Sequence, residues 1–220
     1  MSEDLARSQN GDRMGEIAWR DVTVAWSRPS RLDDFTGADL ALMGSEQVDR
    51  FHQLTGDRAL AFLAGRSLIR DLVRRVRGRG EVVLDSRCER CGAHHGPPRT
   101  DGVSLSVSHA DDLVVVAVTA RPALLGVDVE AMGASFLRGE LQALFPDSPE
   151  PDLAGWTRIE AAVKADGRGL LIDPGTVTLR RRPRSAAPLA WEAVVPGRRV
   201  PLEVVTLAGP PEHVLSVALG

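Results

Sequence analysis

Two carboxylates, Asp128 and Glu130, stand two residues apart in the run Gly126-Val127-Asp128-Val129-Glu130. A strand alternates its side chains between faces, so both acids project to one side and Val127 and Val129 to the other. Like charges set side by side repel unless a cation or protons intervene. Hard oxygen donors in this arrangement suit Mg2+, which commonly takes a few carboxylates together with the phosphates of a substrate. A solvated edge strand would carry the same pattern, but the apolar neighbours Leu124, Leu125, Val127 and Val129 argue for burial. A third acid, Glu160, lies between Trp156 and Lys164 at spacings of four, which stacks the three side chains in a column on one helix face. An exposed Glu–Lys pair at this spacing contributes only about 0.2–0.5 kcal/mol. The alanines at 161, 162 and 165 and the glycines at 167 and 169 point instead to a helix packed closely on a neighbour.

Lys164 is the one lysine among 27 basic residues; the rest are arginine. The chain also lacks Tyr and holds a single Asn, Asn10, against 21 Gly and 14 Pro, which reads as a compositional bias towards Arg, Ala, Gly, Pro and Val. A lysine that survives such a bias invites a chemical explanation. Its ammonium is a compact point charge, whereas guanidinium is a planar fork, and the two are not interchangeable at a tight phosphate site.

Further candidates lie upstream. Val103, Leu105 and Val107 alternate with Ser104, Ser106 and Ser108 in a half-buried strand that ends at His109, a residue able to bind a phosphate or act as a base. A lone histidine is more often structural. Arg58, Arg66, Arg70 and Arg74 recur at multiples of four along a predicted helix. Such a stripe is usually solvated, yet guanidinium binds phosphate oxygens in a bidentate way. Cys88-Glu89-Arg90-Cys91 followed by His94 and His95 has zinc-like spacing. One short loop without a second distant pair seldom closes a tetrahedral site, so two free thiols and a turn are the expectation. The sequence has no Ser-His-Asp order, P-loop or dinucleotide-binding glycine signature.

The elements that must position these groups follow from periodicity. Residues 1–15 read as a flexible tail, about 17–27 as one strand, and 29–37 as a loop. Ser45 begins a short helix. The clearest helix runs from Asp57 to Arg77, with Leu60, Ala64, Leu68, Leu72 and Val76 as its buried stripe. A short strand is expected at 81–85, a Cys/His/Gly/Pro-rich loop at 86–102, and a hairpin of strands 103–108 and 113–119. The order then recurs: a strand at 124–130, a helix from Ser135 to Phe145, and a helix capped by Asp152 and ending near Asp166. Strands follow near 175–182, 189–195, 201–207 and 213–219. The fold class is α/β (α+β). It comprises two pseudo-symmetric α/β halves, 16–122 and 123–220, each a small antiparallel sheet packed with a long helix, with a ligand cleft between them.

Composition narrows the classes. The 220 residues suffice for one large domain or two small ones. Charged residues at 26% and hydrophobic residues at 43% are ordinary for a globular protein. No apolar run approaches about 18 residues, and the N-terminus lacks a signal-peptide core, so a cytoplasmic protein with no membrane partner is expected. Two cysteines make no disulfide framework. A formal net charge of −3 argues against general nucleic-acid binding.

Taken together, the motifs resemble those of the 4′-phosphopantetheinyl transferase superfamily, in its Sfp type. Gly126 to Glu130 looks like the family's G-[IV]-D-x-E motif, and Trp156 to Leu170 like W-[ST]-x-K-E-A-x-x-K-x-x-G-x-G-[LF]. Ser108-His109 matches its Ser-His motif, residues 91–98 resemble its Cys-Gly-x-x-His-Gly-Lys-Pro segment, and Arg66-Ser67-Leu68 its early arginine motif. The order agrees over about residues 57–170. The resemblance implies a Mg2+-dependent enzyme (Mn2+ being the other candidate metal), a holo-acyl-carrier-protein synthase. It would move the 4′-phosphopantetheine arm of coenzyme A to a serine of an apo acyl or peptidyl carrier protein, releasing adenosine 3′,5′-bisphosphate. Such carriers serve fatty-acid, polyketide or nonribosomal peptide synthesis. The nucleophile comes from the partner.

The resemblance also implies roles. Asp128, Glu130 and Glu160 would hold the metal. Glu160, directly or through water, would accept the serine proton, and Lys164 would face the phosphate under attack. Arg58, Arg66, Gly96, Pro98, Ser108 and His109 would bind coenzyme A with Lys164. A monomer is expected, since one chain supplies both halves. Two positions depart from the family pattern: Ile159 and Pro97 stand where it has lysines, with Arg99 a possible substitute for the latter charge. Those losses motivate a different class of function, a non-catalytic coenzyme A or carrier-protein binding module. A zinc-stabilised interaction protein built on Cys88, Cys91, His94 and His95 is a third reading.

Overall fold

The structure, a computed structural model, describes residues 14–29, 35–78, 80–133, 137–146, 149–182 and 189–220. It is an α+β protein with two antiparallel sheets and five helices among those residues. The chain divides into two compact units, Met1–Pro122 and Ala123–Gly220.

In the first unit, β1 (Met14–Trp19) and β2 (Val22–Ser27) form a hairpin, and β3 (Ser104–Ala110) pairs with β4 (Leu113–Thr119). The sheet order is β1-β2-β4-β3. The single strand expected over 17–27 is thus two strands, because Arg20, at φ 55°, reverses the chain and places Trp19 opposite Val22. The hairpin starts at Met14, inside the segment read as a tail; residues 1–13 lie outside the described residues. The expected loop at 29–37 also hides a start signal. Thr36 and Asp39 form a reciprocal capping box that begins α1 (Gly37–Ala41). The expected strand at 81–85 is absent. That segment is held instead by a Leu84 N–H to Met43 carbonyl bond and by one isolated bridge between Asp85 and Arg99.

α2 (Ser45–His52) precedes α3 (Gly56–Arg77), which ends at Gly78 in a left-handed-side conformation, φ 96°. The stripe through Ala64, Leu68 and Leu72 is buried with Ile69 and Val73 against Val114, Val116 and Val118 of β4. Alternation explains β4's contribution: every second valine faces the helix. The arginine stripe is not one uniform face. Arg58 and Arg74 are exposed, Arg70 is half-buried, and Arg66 is buried.

In the second unit, β5 (Leu125–Ala131), β6 (Thr178–Arg181), β7 (Ala190–Val194), β8 (Leu202–Leu207) and β9 (His213–Leu219) pair in the order β5-β9-β8-β7-β6. α4 (Leu137–Leu144) and α5 (Leu153–Asp166) accompany the sheet. Ser135, the expected cap of α4, lies outside the described residues. Asp152 caps α5 by accepting the Gly155 N–H, and Gly167 ends it in the left-handed region. α5 packs on the sheet through Ile159, Ala161, Ala162, Val163 and Ala165.

Two contacts fix this helix. A methyl group on Gly126 of β5 would lie 1.9 Å from the Ala161 carbonyl oxygen and 2.5 Å from the Ala165 nitrogen, so helix backbone sits directly on the strand. Thr157 and Ser216, both fully buried, share a 2.8 Å hydroxyl hydrogen bond that joins α5 to β9. Below the helix terminus, the buried Asp166 carboxylate accepts from Arg168 and Arg198 and ties α5 to the turn before β8. No helix among the described residues is long and apolar enough to cross a membrane.

Gly126→Ala must push a helix off its strand, so it is expected to destabilise by roughly 3 kcal/mol or more in urea denaturation. A loss below about 1 kcal/mol would contradict the close packing. The two arginines hold the Asp166 carboxyl below its ordinary value, Arg168 contributing most. Its stabilising effect is therefore present above the unfolded-state value and lost as pH falls through the folded one. Asp166→Asn should cost about 1–3 kcal/mol near neutral pH. The difference from wild type should shrink through the acid range.

Candidate functional site

The close approach at Gly126 decides which side chains meet. Gly126, Asp128 and Glu130 share the α5-facing side of β5, and the column Trp156, Glu160 and Lys164 lies along the helix opposite them. Lys164 donates to Asp128 Oδ1 at 2.6 Å. Asp128 is buried at 4% exposure, and Lys164 is partly exposed. Trp156 lies near the Glu130 carboxyl and favours its charged form.

Three acids face one lysine, and the imbalance shows in their proton affinities. Burial, then the charge of Asp128, pushes the Glu160 carboxyl above its ordinary value, with Lys164 opposing. Burial and Asp128 also raise Glu130, Glu160 adds to the rise, and Trp156 and Lys164 pull the other way. The patch therefore calls for more positive charge than Lys164 supplies. Oxygen donors of this kind fit a hard divalent cation such as Mg2+. Asp128, Glu130 and Glu160 are the residues able to hold it. Their oxygens are not drawn into one tight cluster, and Lys164 occupies one edge of Asp128.

In the first unit, Arg66 combines burial with an unusual set of neighbours. Its guanidinium stacks over the Phe62 ring at 4.2 Å, and its Nε donates to Gln47 Oε1 at 2.7 Å. Burial, then the nearby charge of Arg50, lowers its pKa to about 10. Among the described residues no carboxylate pairs with it. A buried cation next to a second cation, with only a neutral amide as partner, favours an incoming anion. Gln47 Nε2 reaches Ser86 Oγ at 3.4 Å, and the Ser86 carbonyl accepts the Gly96 N–H at 2.7 Å. Gly96 is thereby linked to Arg66 through two residues. A side chain on Gly96 would come within 2.9 Å of the Arg87 carbonyl oxygen. Pro98 follows it, half-buried.

The remaining expected residues are placed more loosely. Arg58 is exposed and two turns from Arg66, about 12 Å along the axis. Ser108 is buried in β3, and His109 is exposed beside the turn at Asp111. Arg99 forms an ion pair with Glu89 at 2.7 Å. Ile159 lies in the second unit's hydrophobic core at 3% exposure. Gln47, Arg50 and Phe62 were missed by the sequence reading. Gln47 lies beside the apolar positions of α2, and nothing local marks a glutamine there as buried.

In the loop after α3, Cys88, Cys91 and His95 offer ligand atoms that all lie within 4.8 Å of one another, while His94 stays outside that group. Both thiols are free. No family model matches this chain, and no curated protein matches it either.

A carboxyl with raised proton affinity keeps its proton longer in the native than in the unfolded state. Native stability then falls as pH rises from the ordinary glutamate value through the native one. Glu160→Gln removes that penalty without changing shape. In Mg2+-free buffer its Tm should exceed that of wild type near neutral pH and converge with it below the ordinary glutamate range. A lower Tm for the variant at neutral pH would contradict the repulsive cluster.

Proposed function

We propose that this protein is a 4′-phosphopantetheinyl transferase acting on apo carrier proteins. The observation that carries the reading is the patch of Asp128, Glu130 and Glu160 against a single lysine, set by helix backbone resting on Gly126. The motif resemblance gives the reaction, and the patch has the chemistry that reaction needs. In this reading the two units are pseudo-symmetric halves of one enzyme.

Phosphoryl transfer depends on positioning and on stabilising charge. A divalent cation bound by Asp128, Glu130 and Glu160 would neutralise charge on the coenzyme A pyrophosphate. The carrier serine oxygen forms a new bond to the phosphorus that bears the pantetheine arm. The bond from that phosphorus to the bridging oxygen breaks, and adenosine 3′,5′-bisphosphate leaves with the electron pair. Glu160 suits the serine proton, because burial and Asp128 have already raised its proton affinity. Lys164 swings from Asp128 towards the attacked phosphate as a compact charge. Trp156 favours the charged form of Glu130. Arg66, flanked by Arg50 and backed by Phe62, receives the 3′-phosphate, with Arg58, His109 and Ser108 as further contacts and Gly96 and Pro98 as the backbone wall.

Intact-mass measurement of apo carrier proteins incubated with the enzyme, coenzyme A and Mg2+ tests the reading. Carriers should gain the mass of the phosphopantetheine arm. Asp128→Asn and Glu160→Gln should reduce the rate at least ~100-fold while the fold survives, and Lys164→Arg should remove most of it. Failure of a fatty-acid, polyketide and peptide carrier panel to gain the arm would overturn the transferase. Retained coenzyme A binding in that case would favour the binding-module alternative.

A further inference from the structure

The segment from Asp85 to Arg99 is closed at its base but has no core of its own. Asp85 and Arg99 exchange backbone hydrogen bonds of 2.8 and 2.7 Å, and Gly96 N–H reaches the Ser86 carbonyl. From residue 87 to 102 no side chain is buried. Apolar packing therefore cannot be what holds this segment's shape.

Its interior is nonetheless tightly ordered by main-chain bonds. Cys88 N–H donates to the Ala93 carbonyl and Gly92 N–H to the Cys88 carbonyl, both at 2.8 Å. Gly92, at φ 73°, supplies the left-handed residue that turns the chain directly after the second cysteine. Cys91 Sγ lies 3.0 Å from His95 Nε2. All three ligand atoms fall within 4.8 Å.

We propose that Cys88, Cys91 and His95 bind a zinc ion that clips the 85–99 segment. Zinc–sulfur bonds of about 2.3 Å and a zinc–nitrogen bond of about 2.0 Å set tetrahedral ligand atoms roughly 3.5–3.8 Å apart. The Cys91–His95 pair needs to open by only about half an ångström to meet that spacing. Two thiolates with an imidazole suit zinc over Mg2+. The exposed face of the loop leaves the fourth position to water. The clip's functional reach runs through Ser86 and Gln47, the two residues that link the segment to Arg66. The proposal stands apart from the transferase reading, because none of the three ligands is used there.

The test uses the full chain, purified with zinc present and dialysed into metal-free buffer, with no coenzyme A or carrier. Elemental analysis should find stoichiometric zinc, and both thiols should be protected from a thiol reagent until a chelator is added. Cobalt exchanged into the protein should give a thiolate charge-transfer band and the strong visible bands of a tetrahedral ion. His95→Ala should lose zinc affinity yet keep the thiolate band, and Cys88→Ser with Cys91→Ser should lose both metal and band. Substoichiometric zinc with freely reacting thiols would overturn the site, as would a disulfide between the cysteines. So would zinc retained by the double variant. If that variant fails to fold, the cobalt spectrum of the wild type decides alone: no thiolate band, no site.

Discussion

The second unit turns on one approach between backbones, the seating of α5 on β5 at Gly126. Nothing larger than hydrogen fits between that α-carbon and the Ala161 carbonyl. From this contact the register of helix over strand follows. Lys164 falls over Asp128, while Trp156 and Glu160 lie near Glu130. Ala161, Ala162 and Ala165 keep the helix low, and Thr157 bonded to Ser216 stops it from sliding along β9. A helix seated even one side chain higher would separate the acids from the lysine.

That seating also explains why the acids are tolerated. Burying Asp128 beside Glu130 and Glu160 would be prohibitive without a cation, because desolvation and mutual repulsion act in the same direction. Lys164 offsets only part of it, which leaves Glu130 and Glu160 with raised proton affinities. Arg66 is the complementary case in the first unit, a buried cation with no acid paired to it among the described residues. In the proposed enzyme both imbalances are resolved by ligands: the acids by a divalent cation, the arginine by a phosphate.

Much of this was legible in the sequence because it rests on strict periodicities. The two-residue spacing of Asp128 and Glu130 and the four-residue spacing of Trp156, Glu160 and Lys164 each fix a face, and the intervening alanines announce close packing. What escaped was set by turns and by tertiary contacts. The reversal at Arg20 uses no glycine, so two short strands read as one. The five-residue α1 is too short to show a period, although its Thr36–Asp39 box was present. Residues 81–85 look like a strand but meet no partner ladder. Gln47 is buried by what packs on it, and the convergence of His95, but not His94, on the two cysteines depends on the turn at Gly92.

In the proposed enzyme the seating at Gly126 makes Asp128, Glu130 and Glu160 a cation–pyrophosphate patch. Electron paramagnetic resonance titration of Mn2+, a hard cation with little taste for thiolates, addresses it directly in the presence of coenzyme A. A bound ion is expected in the wild-type chain, and its signal should be lost in a folded Asp128→Asn variant. Mn2+ binding that is absent in the wild type, or unchanged by Asp128→Asn, would contradict it.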